Sequence, residues 1–526
     1  MTGAADPTAM PSYADIGIRP LLERNAAEAP DEVFVTFADG STWTRQQALY
    51  EAYRAANVLR ERGVRQQQVV AVLLGNGPDF LRCWWGLAAL GATCAMFNPA
   101  YRGRILDNLL ELTGPVLAVT DQQLKIERPL PVVDPTELRN GPATPPELER
   151  PIELWDLHGI LCTSGTTGRS KAVLQSNYHL HTTGRWATID VGLGPDDTLL
   201  VDLPLFHAGL NSFTVGCLAT RSRLAIRSRP EVSRYWEVIR ETGSTIAVGL
   251  SATAAILQGR PATPDERDHR LRYWIGVPLP DRASEFAERF GISGGLLGAY
   301  GCTEIGVGVI ARPGLDHPDG SCGTSRDGFE LRLVDGNDIE VPTGQVGELI
   351  LRTDRPWAIS HGYLGDHEAT ARAWRNGWFH TGDALSRDEQ GNYYFRDRIK
   401  DVIRRRGENI SSFEIEAEIA SHPHVREAAC IAVPSPTGIE DEIKTFLVPE
   451  PDFDPAELVG WLYDRLPYFM IPRYIECADE LPRTPTGRVR KFELRDRDPG
   501  PVWDREQHLR ISRDGIRAEP TAPRPA

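Results

Sequence analysis

Eleven consecutive residues, Leu161-Cys162-Thr163-Ser164-Gly165-Thr166-Thr167-Gly168-Arg169-Ser170-Lys171, hold two glycines, five hydroxyl side chains and one lysine. That mixture suits an oxyanion such as a phosphate. Glycine lets backbone N–H groups approach closely, hydroxyls donate hydrogen bonds, and the lysine supplies charge. The spacing is not that of a Walker loop, which needs Gly-Lys-Ser/Thr in direct succession; here Ser170 separates Arg169 from Lys171. Alone, the stretch reads more simply as a solvated Ser/Thr/Gly turn between strands.

Four further stretches carry residue types that could act on the same ligand. In Gly298-Ala299-Tyr300-Gly301-Cys302-Thr303-Glu304, Tyr300 can stack on a base and Thr303 can bond a phosphate, while Glu304 offers hard oxygens to Mg²⁺. In Gly377-Trp378-Phe379-His380-Thr381-Gly382-Asp383, Asp383 can accept from a ribose diol, or simply cap a turn. Asp397-Arg398-Ile399-Lys400-Asp401, with Gly407-Glu408-Asn409-Ile410 after it, reads by itself as a solvated charged face. Pro482-Arg483-Thr484-Pro485-Thr486-Gly487-Arg488-Val489-Arg490-Lys491 reads as a basic turn before a helix.

These stretches need a scaffold, and the 526 residues allow roughly three or four units of ~150 residues. Apolar residues make up 41%, enough for large cores, and the net charge of −15 argues against broad nucleic-acid or anionic-membrane partners. The eight cysteines form no C-x-x-C pair and read as free thiols in a reducing compartment. No basic, then apolar, N-terminal run is visible, and no window reaches ~18 apolar residues. A soluble, cytoplasmic protein is expected.

Val33–Phe37 and Ser41–Thr44 alternate like a hairpin around Asp39-Gly40. Thr44 caps a helix over 45–62. Then strands 69–74, 92–97 and 116–119 alternate with helices 78–90 and 104–113, which argues for a parallel sheet covered on both faces. Residues 121–153 read as a surface connection. A second series follows, with strands near 198–202, 223–227, 245–249, 272–276 and 294–298. From about Gly320, short alternating runs punctuated by glycine suggest a small antiparallel unit, then a compact α+β segment with a helix near 412–421. The Pro- and Arg-rich residues from 499 suggest a disordered tail.

Taken in this order over more than 300 residues, the stretches resemble the adenylate-forming superfamily of acyl-CoA synthetases, peptide-synthetase adenylation domains and luciferases. The similarity spans about 15–497. Within it, Arg405-Arg406-Gly407-Glu408-Asn409-Ile410-Ser411-Ser412 is most similar to medium-chain and carnitine-type acyl-CoA ligases. The resemblance implies an α/β fold: a large N-terminal domain of two packed α/β sheets plus a small β-unit (1–399), and a small mobile α+β C-terminal domain (400–498) after a hinge at Lys400. The tail is 499–526. It also implies ATP and Mg²⁺, CoA as acceptor, and a small-molecule acid or aromatic substrate. Neither nucleic acid nor membrane is implied as a partner, and the oligomeric state is left open.

Residue by residue, the resemblance gives an ATP site of Thr163, Ser164, Gly165, Thr166, Thr167, Gly168, Lys171, Gly276, Val277, Pro278, Ala299, Tyr300, Gly301, Thr303, Asp383, Phe395 and Arg398, with Glu304 as the metal ligand. Arg488, Thr303, Glu304, His207 and Lys171 are the catalytic candidates. His207, Asn211, Phe213, Leu250, Ser251, Gly276, Leu297, Gly298 and Gly306 are candidates for the acyl pocket, where the small residues would leave room. Arg406, Gly407, Glu408 and Asn409 would border the CoA tunnel. Two positions depart from the family pattern. Val277 stands in the Gly-Ala-Pro segment against adenine, and Arg488 replaces the lysine that bridges carboxylate and α-phosphate. Arg is a planar fork, Lys a point charge. Arg488 can substitute directly, Lys491 or Arg490 can reach in, or the chemistry differs. The expected activity is acid–CoA ligation. The alternatives are an adenylating enzyme without CoA, such as an ATP- and nitrite-dependent diazotase of an aromatic amine, and an impaired nucleotide-binding member.

Overall fold

The structure is a computed structural model. It describes residues 10–124, 126, 129–163, 171–276, 279, 282–315, 317–398, 402–406, 408–436, 440–482, 489, 491–495, 501–512 and 515–518.

The first α/β series forms a six-stranded sheet. Its order is Val132–Val133, Leu117–Thr120, Val69–Leu73, Thr93–Met96, Leu157–Thr163, Lys171–Ser176, and only the last pair is antiparallel. Strands buried on both faces need continuous apolar runs, and Val69–Leu73 and Thr93–Met96 supply them. Residues 121–153 are more than a surface connection. Val132–Val133 adds an edge strand, and Asp134 caps the short helix Pro135–Arg139 through the Thr136 N–H.

The second series forms a nine-stranded sheet, and the hairpin Val33–Thr36/Thr42–Thr44 joins its far edge by pairing in parallel with Arg223–Ile226. Helices fill the space between the two sheets. Thr44 caps Arg45–Glu61 and exchanges hydrogen bonds with Gln47. Gly86 lets Pro78–Leu90 lie against that helix, because a Cβ there would sit 2.6 Å from the Ala55 Cβ. In the same way Gly184 has room for no side chain against the Ser212 carbonyl, which locks Asn177–Trp186 onto Ala208–Thr220. This contact fixes the start of the second helix, where His207 stands.

A four-stranded antiparallel unit, Phe329–Val334, Gly347–Thr353, Phe379–Arg387 and Tyr393–Arg398, follows. The C-terminal part carries the hairpin Val402–Arg405/Glu408–Ser411, the helix Ser412–Ala420 and a four-stranded sheet. One apolar core joins this part to the large domain. Phe97, Ala100, Ile105 and Leu109 share it with Ile403, Ile410, Ile415 and Leu458. The tail departs from the expected disorder. Val502–Asp504 pairs with Tyr474–Cys477, and Leu509–Ser512 forms a hairpin with Gly515–Ala518. All eight cysteines are free, and no helix among the described residues is long and apolar enough to cross a membrane.

Candidate active site

The strand Leu296–Cys302 ends in the turn Thr303–Ile305 and returns as Gly306–Ile310. Two neighbouring segments grip this turn with three hydrogen bonds. Gln175 Nε2 donates to the Thr303 carbonyl at 2.9 Å, the Ser360 N–H donates to the Glu304 carbonyl at 2.8 Å, and the Tyr363 hydroxyl donates to Glu304 Oε1 at 2.8 Å. Lys171 Nζ lies 4.3 Å from the centre of the Tyr363 ring, a cation–π distance. Burial, then the Glu304 charge, pushes Tyr363 above its ordinary value, so it remains a proton donor. Glu304 is half-buried, and its Oε2 has no hydrogen-bond partner among the described residues.

Tyr300 and Asp383 meet on the other side of the same strand. The Tyr300 hydroxyl donates to Asp383 Oδ2 at 2.7 Å, and burial followed by the Asp383 charge holds that hydroxyl well above its ordinary range. Phe395 stacks on Tyr300 with centroids 6.3 Å apart and stays 38% exposed. An exposed aromatic face beside a buried Tyr–Asp pair suits a purine ring and a sugar hydroxyl. Asp383 is opposite Arg398 in the strand register.

The third group crosses between the domains. His207 Nε2 is 3.2 Å from Glu408 Oε1, and Asn98 Nδ2 donates to the same oxygen at 3.0 Å. Burial by itself would lower the His207 imidazole, but the Glu408 carboxylate outweighs it and the net direction is up. The hairpin that carries Glu408 thus presents its turn to the start of the Ala208–Thr220 helix.

Several expected pocket residues behave differently. Gly276 and Gly298 do not leave open room: a Cβ on either would come within 2.8 Å of the Leu279 side chain. Gly306, at φ +66°, is filled from behind by Thr183 Oγ1. Phe213 packs edge-on to Trp186 in the main core, and Leu297 belongs to that core too. Asn211 is fully buried, with Nδ2 toward Met96 Sδ and Oδ1 accepting from Ser212 Oγ. Leu250 is half-buried just before the helix Ser251–Gln258. Arg406 lies over the Tyr468 ring, 5.2 Å from its centre.

Thr163 stands opposite Lys171 across the mouth of the opening loop. Ala299 and Gly301 flank Tyr300 on its strand. Ser164, Gly165, Thr166, Thr167, Gly168, Val277, Pro278, Lys400, Gly407 and Arg488 lie outside the described residues, as do the side chains of Ser251, Arg398 and Asn409. Lys491 does not reach toward the large domain: Nζ is 2.6 Å from both Glu416 Oε1 and Ser412 Oγ. Sequence reasoning missed Tyr363, Gln175 and Asn98. The Gly362-Tyr363 pair after an apolar strand was a usable signal for the first; nothing local marks the other two.

Comparison with known proteins gives the family and the fold. The profile of the AMP-binding enzyme family matches residues 22–364, and that of the AMP-binding enzyme C-terminal domain matches 414–488. The crotonobetaine/carnitine–CoA ligase of Salmonella agona (strain SL483) is 30% identical over 482 residues, covering 85% of this chain and 91% of that protein. Among solved structures, a double mutant of Bacillus subtilis o-succinylbenzoate CoA synthetase, bound to its product analogue, is 24% identical with a TM-score of 0.81. The match covers 91% of this chain and 98% of that one. The anthranilate CoA ligase in complex with anthranoyl-AMP is 23% identical, with a TM-score of 0.67 over 94% and 98%. These two likenesses show the fold.

Proposed function

The chain belongs to the AMP-binding enzyme family, and on that premise we propose that it is an AMP-forming acid–CoA ligase acting on a small organic acid. In the first step a carboxylate oxygen attacks the α-phosphorus of ATP, forming an acyl-adenylate and releasing pyrophosphate. In the second, the CoA thiol attacks the acyl carbon and AMP leaves. The relatives fit this reading: those named crotonobetaine/carnitine–CoA ligases match along most of both chains.

The observation that carries the reading is the linked group Lys171, Tyr363 and Glu304. Joining two anions demands fixed positive charge and oriented donors where charge builds up. Lys171 supplies the charge next to the opening loop. Tyr363 holds one Glu304 oxygen, and the other has no partner among the described residues. Glu304 suits a hard cation such as Mg²⁺, and because no group of three or more acidic, His or Cys ligands occurs among the described residues, phosphate oxygens and water would complete its shell. Bound there, the ion would neutralise phosphate charge. The exposed Phe395 face and the Tyr300–Asp383 pair are the adenosine side of the site.

His207 and Glu408 serve the second step. A neutral imidazole takes the thiol proton, and the carboxylate stabilises the imidazolium that results. Glu408 belongs to the small domain, so this pair is made only when its hairpin faces the large domain. We assign the rotation between steps to the segment around Lys400, and the bridging charge of the first step to Arg488. Trimethylammonium acids and aromatic acids are the first classes to test, given what the relatives are named for.

The test is a panel of small carboxylic acids assayed for pyrophosphate release from ATP, with and without CoA. At least one acid should release pyrophosphate, and thioester should form only with CoA. If no acid does so, the ligase reading fails.

A further inference from the structure

Five arginines are buried among the described residues: Arg45, Arg82, Arg326, Arg405 and Arg505. Four have a carboxylate partner, Glu32 for Arg45, Glu51 and Asp79 for Arg82, Glu442 for Arg405 and Glu506 for Arg505. Arg326 has none among the described residues, although it is only 5% exposed. Its guanidinium makes one hydrogen bond, from Nη1 to the Val307 carbonyl at 3.3 Å, and lies over the Phe329 ring. Guanidinium carries five donors and keeps its charge at any ordinary pH. A buried charge without a counter-charge is strongly disfavoured. In a chain with a net charge of −15, the gap is conspicuous.

The charges around Arg326 are mixed, with Asp190 acting on it first and then Arg185, Arg355 and Tyr178. Asp190 already pairs with Arg185 at 2.9 Å, and nearby Asp327 pairs with Arg312 at 2.8 Å. Arg355 is half-buried and has no ion-pair partner among the described residues. It lies across Gly328, where a Cβ would be 2.7 Å from its Nε. The Tyr178 hydroxyl, on a residue only 4% exposed, also has no hydrogen-bond partner among the described residues. His181 stacks on Tyr178 and faces Arg326 electrostatically.

We propose that Arg326 and Arg355, with Tyr178, form a second anion site that binds a compact oxoanion, a phosphate group or a carboxylate. The site lies behind the Glu304 turn, against the Val307 carbonyl, and none of its three residues is assigned above to ATP binding. It lies at the edge of the nine-stranded sheet, between the strand end at Thr324–Ser325, the first turn of the Asn177–Trp186 helix and the loop after Gly347–Thr353. Forked donation to two anion oxygens is what a guanidinium does best. These elements adjoin the Glu304 turn: Val307 follows it on the strand that pairs with Thr324–Ser325, Gln175 precedes the helix, and Ser360 lies in the loop. Occupancy therefore bears on the rigidity of that turn. The inference does not depend on the ligase reading and is read by binding alone.

The test titrates inorganic phosphate and, separately, acetate into the full chain with AMP present at saturation. Calorimetry and thermal melts are the readouts, and sodium chloride at equal ionic strength is the control. Wild type should show a saturable response to at least one oxoanion that chloride does not reproduce, and the responding anion identifies the class. Arg326→Met should weaken that response about tenfold or more, and Arg355→Gln by roughly threefold to tenfold. Without added anion, Arg326→Met should melt no lower than wild type, because a methionine needs no counter-charge there. If Arg326→Met does not fold, Arg355→Gln alone decides. An equal response in wild type and every folded variant overturns the proposal, and so does the absence of any oxoanion response in wild type.

Discussion

Glu304 accepts one hydrogen bond from Tyr363 and holds its backbone carbonyl against Ser360, so its carboxylate direction is set by a distant segment of chain, residues 360–363. Removing the charge with Glu304→Gln should lower the rate of pyrophosphate release roughly 10²–10³-fold, as for other groups aimed at developing charge. Tyr363→Phe removes only the orienting bond. It should lower that rate about tenfold, since a hydrogen bond to a charged group contributes roughly 1.5–3 kcal/mol. A larger loss in Tyr363→Phe than in Glu304→Gln would contradict the order proposed. The sequence carried the carboxylate but not its tether, because residues 304 and 363 meet only after two sheets are assembled. At position 488 the sequence gives arginine, and Lys491 is engaged by Glu416 and Ser412. Lys491→Ala should therefore lower the stability of the small domain by roughly 1–2 kcal/mol while leaving the adenylation rate within about twofold. A loss of adenylation in a folded Lys491→Ala protein would move the bridging role from Arg488 to Lys491.

The hairpin Val402–Arg405/Glu408–Ser411 is the element that ties the small domain to His207. Burial works against the imidazolium and Glu408 works for it, with the balance raising the imidazole above its ordinary value. A raised histidine contributes its contact energy in full below the unfolded value of about 6.5 and loses it as pH climbs through the folded value. Closure of this hairpin onto the large domain should accordingly be tightest in mild acid and loosen above neutrality, as read by fluorescence energy transfer between the domains. Glu408→Gln should flatten that dependence. It should also shift the acidic limb of thioester formation to lower pH, because the imidazole then becomes neutral at lower pH. An unchanged limb would separate His207 from proton transfer. Elements of this kind were legible one at a time. Apolar periodicity and glycine stops placed Pro78–Leu90 where the structure has it, and the turn chemistry of 300–304 was visible in the sequence. The meeting of residues 207 and 408, and the filling of Gly276 and Gly298 by Leu279, depend on packing that no local pattern encodes.

At the scale of the whole molecule, the residues after 500 close the small domain. They read as a tail because prolines and charges flank them and no apolar period is long enough to register. A three-residue strand needs only a free sheet edge, and Tyr474–Cys477 offers one. Trp503 pairs with Ile475 in that register. Arg505, 3% exposed, donates to the Ile471 and Pro472 carbonyls at 2.9 and 3.2 Å, and Arg473 Nε meets Asp504 Oδ1 at 3.1 Å. Ile511 joins the core shared by the two domains, and the Tyr463 hydroxyl donates to the Ser512 carbonyl. Truncation after residue 499 would expose the edge strand, leave Arg473 with fewer partners and open part of that core. The combined loss should destabilise the small domain by roughly 3 kcal/mol or more, seen as a melting transition that separates from, and precedes, that of the large domain. Because Val502–Asp504 and Leu509–Ser512 make their contacts with residues 463–476 and the shared core, binding of AMP by the truncated chain should stay within about threefold of wild type at temperatures below that transition. A truncated chain that melts as one unit at the original temperature would show that the strand and hairpin contribute nothing to holding the domain together.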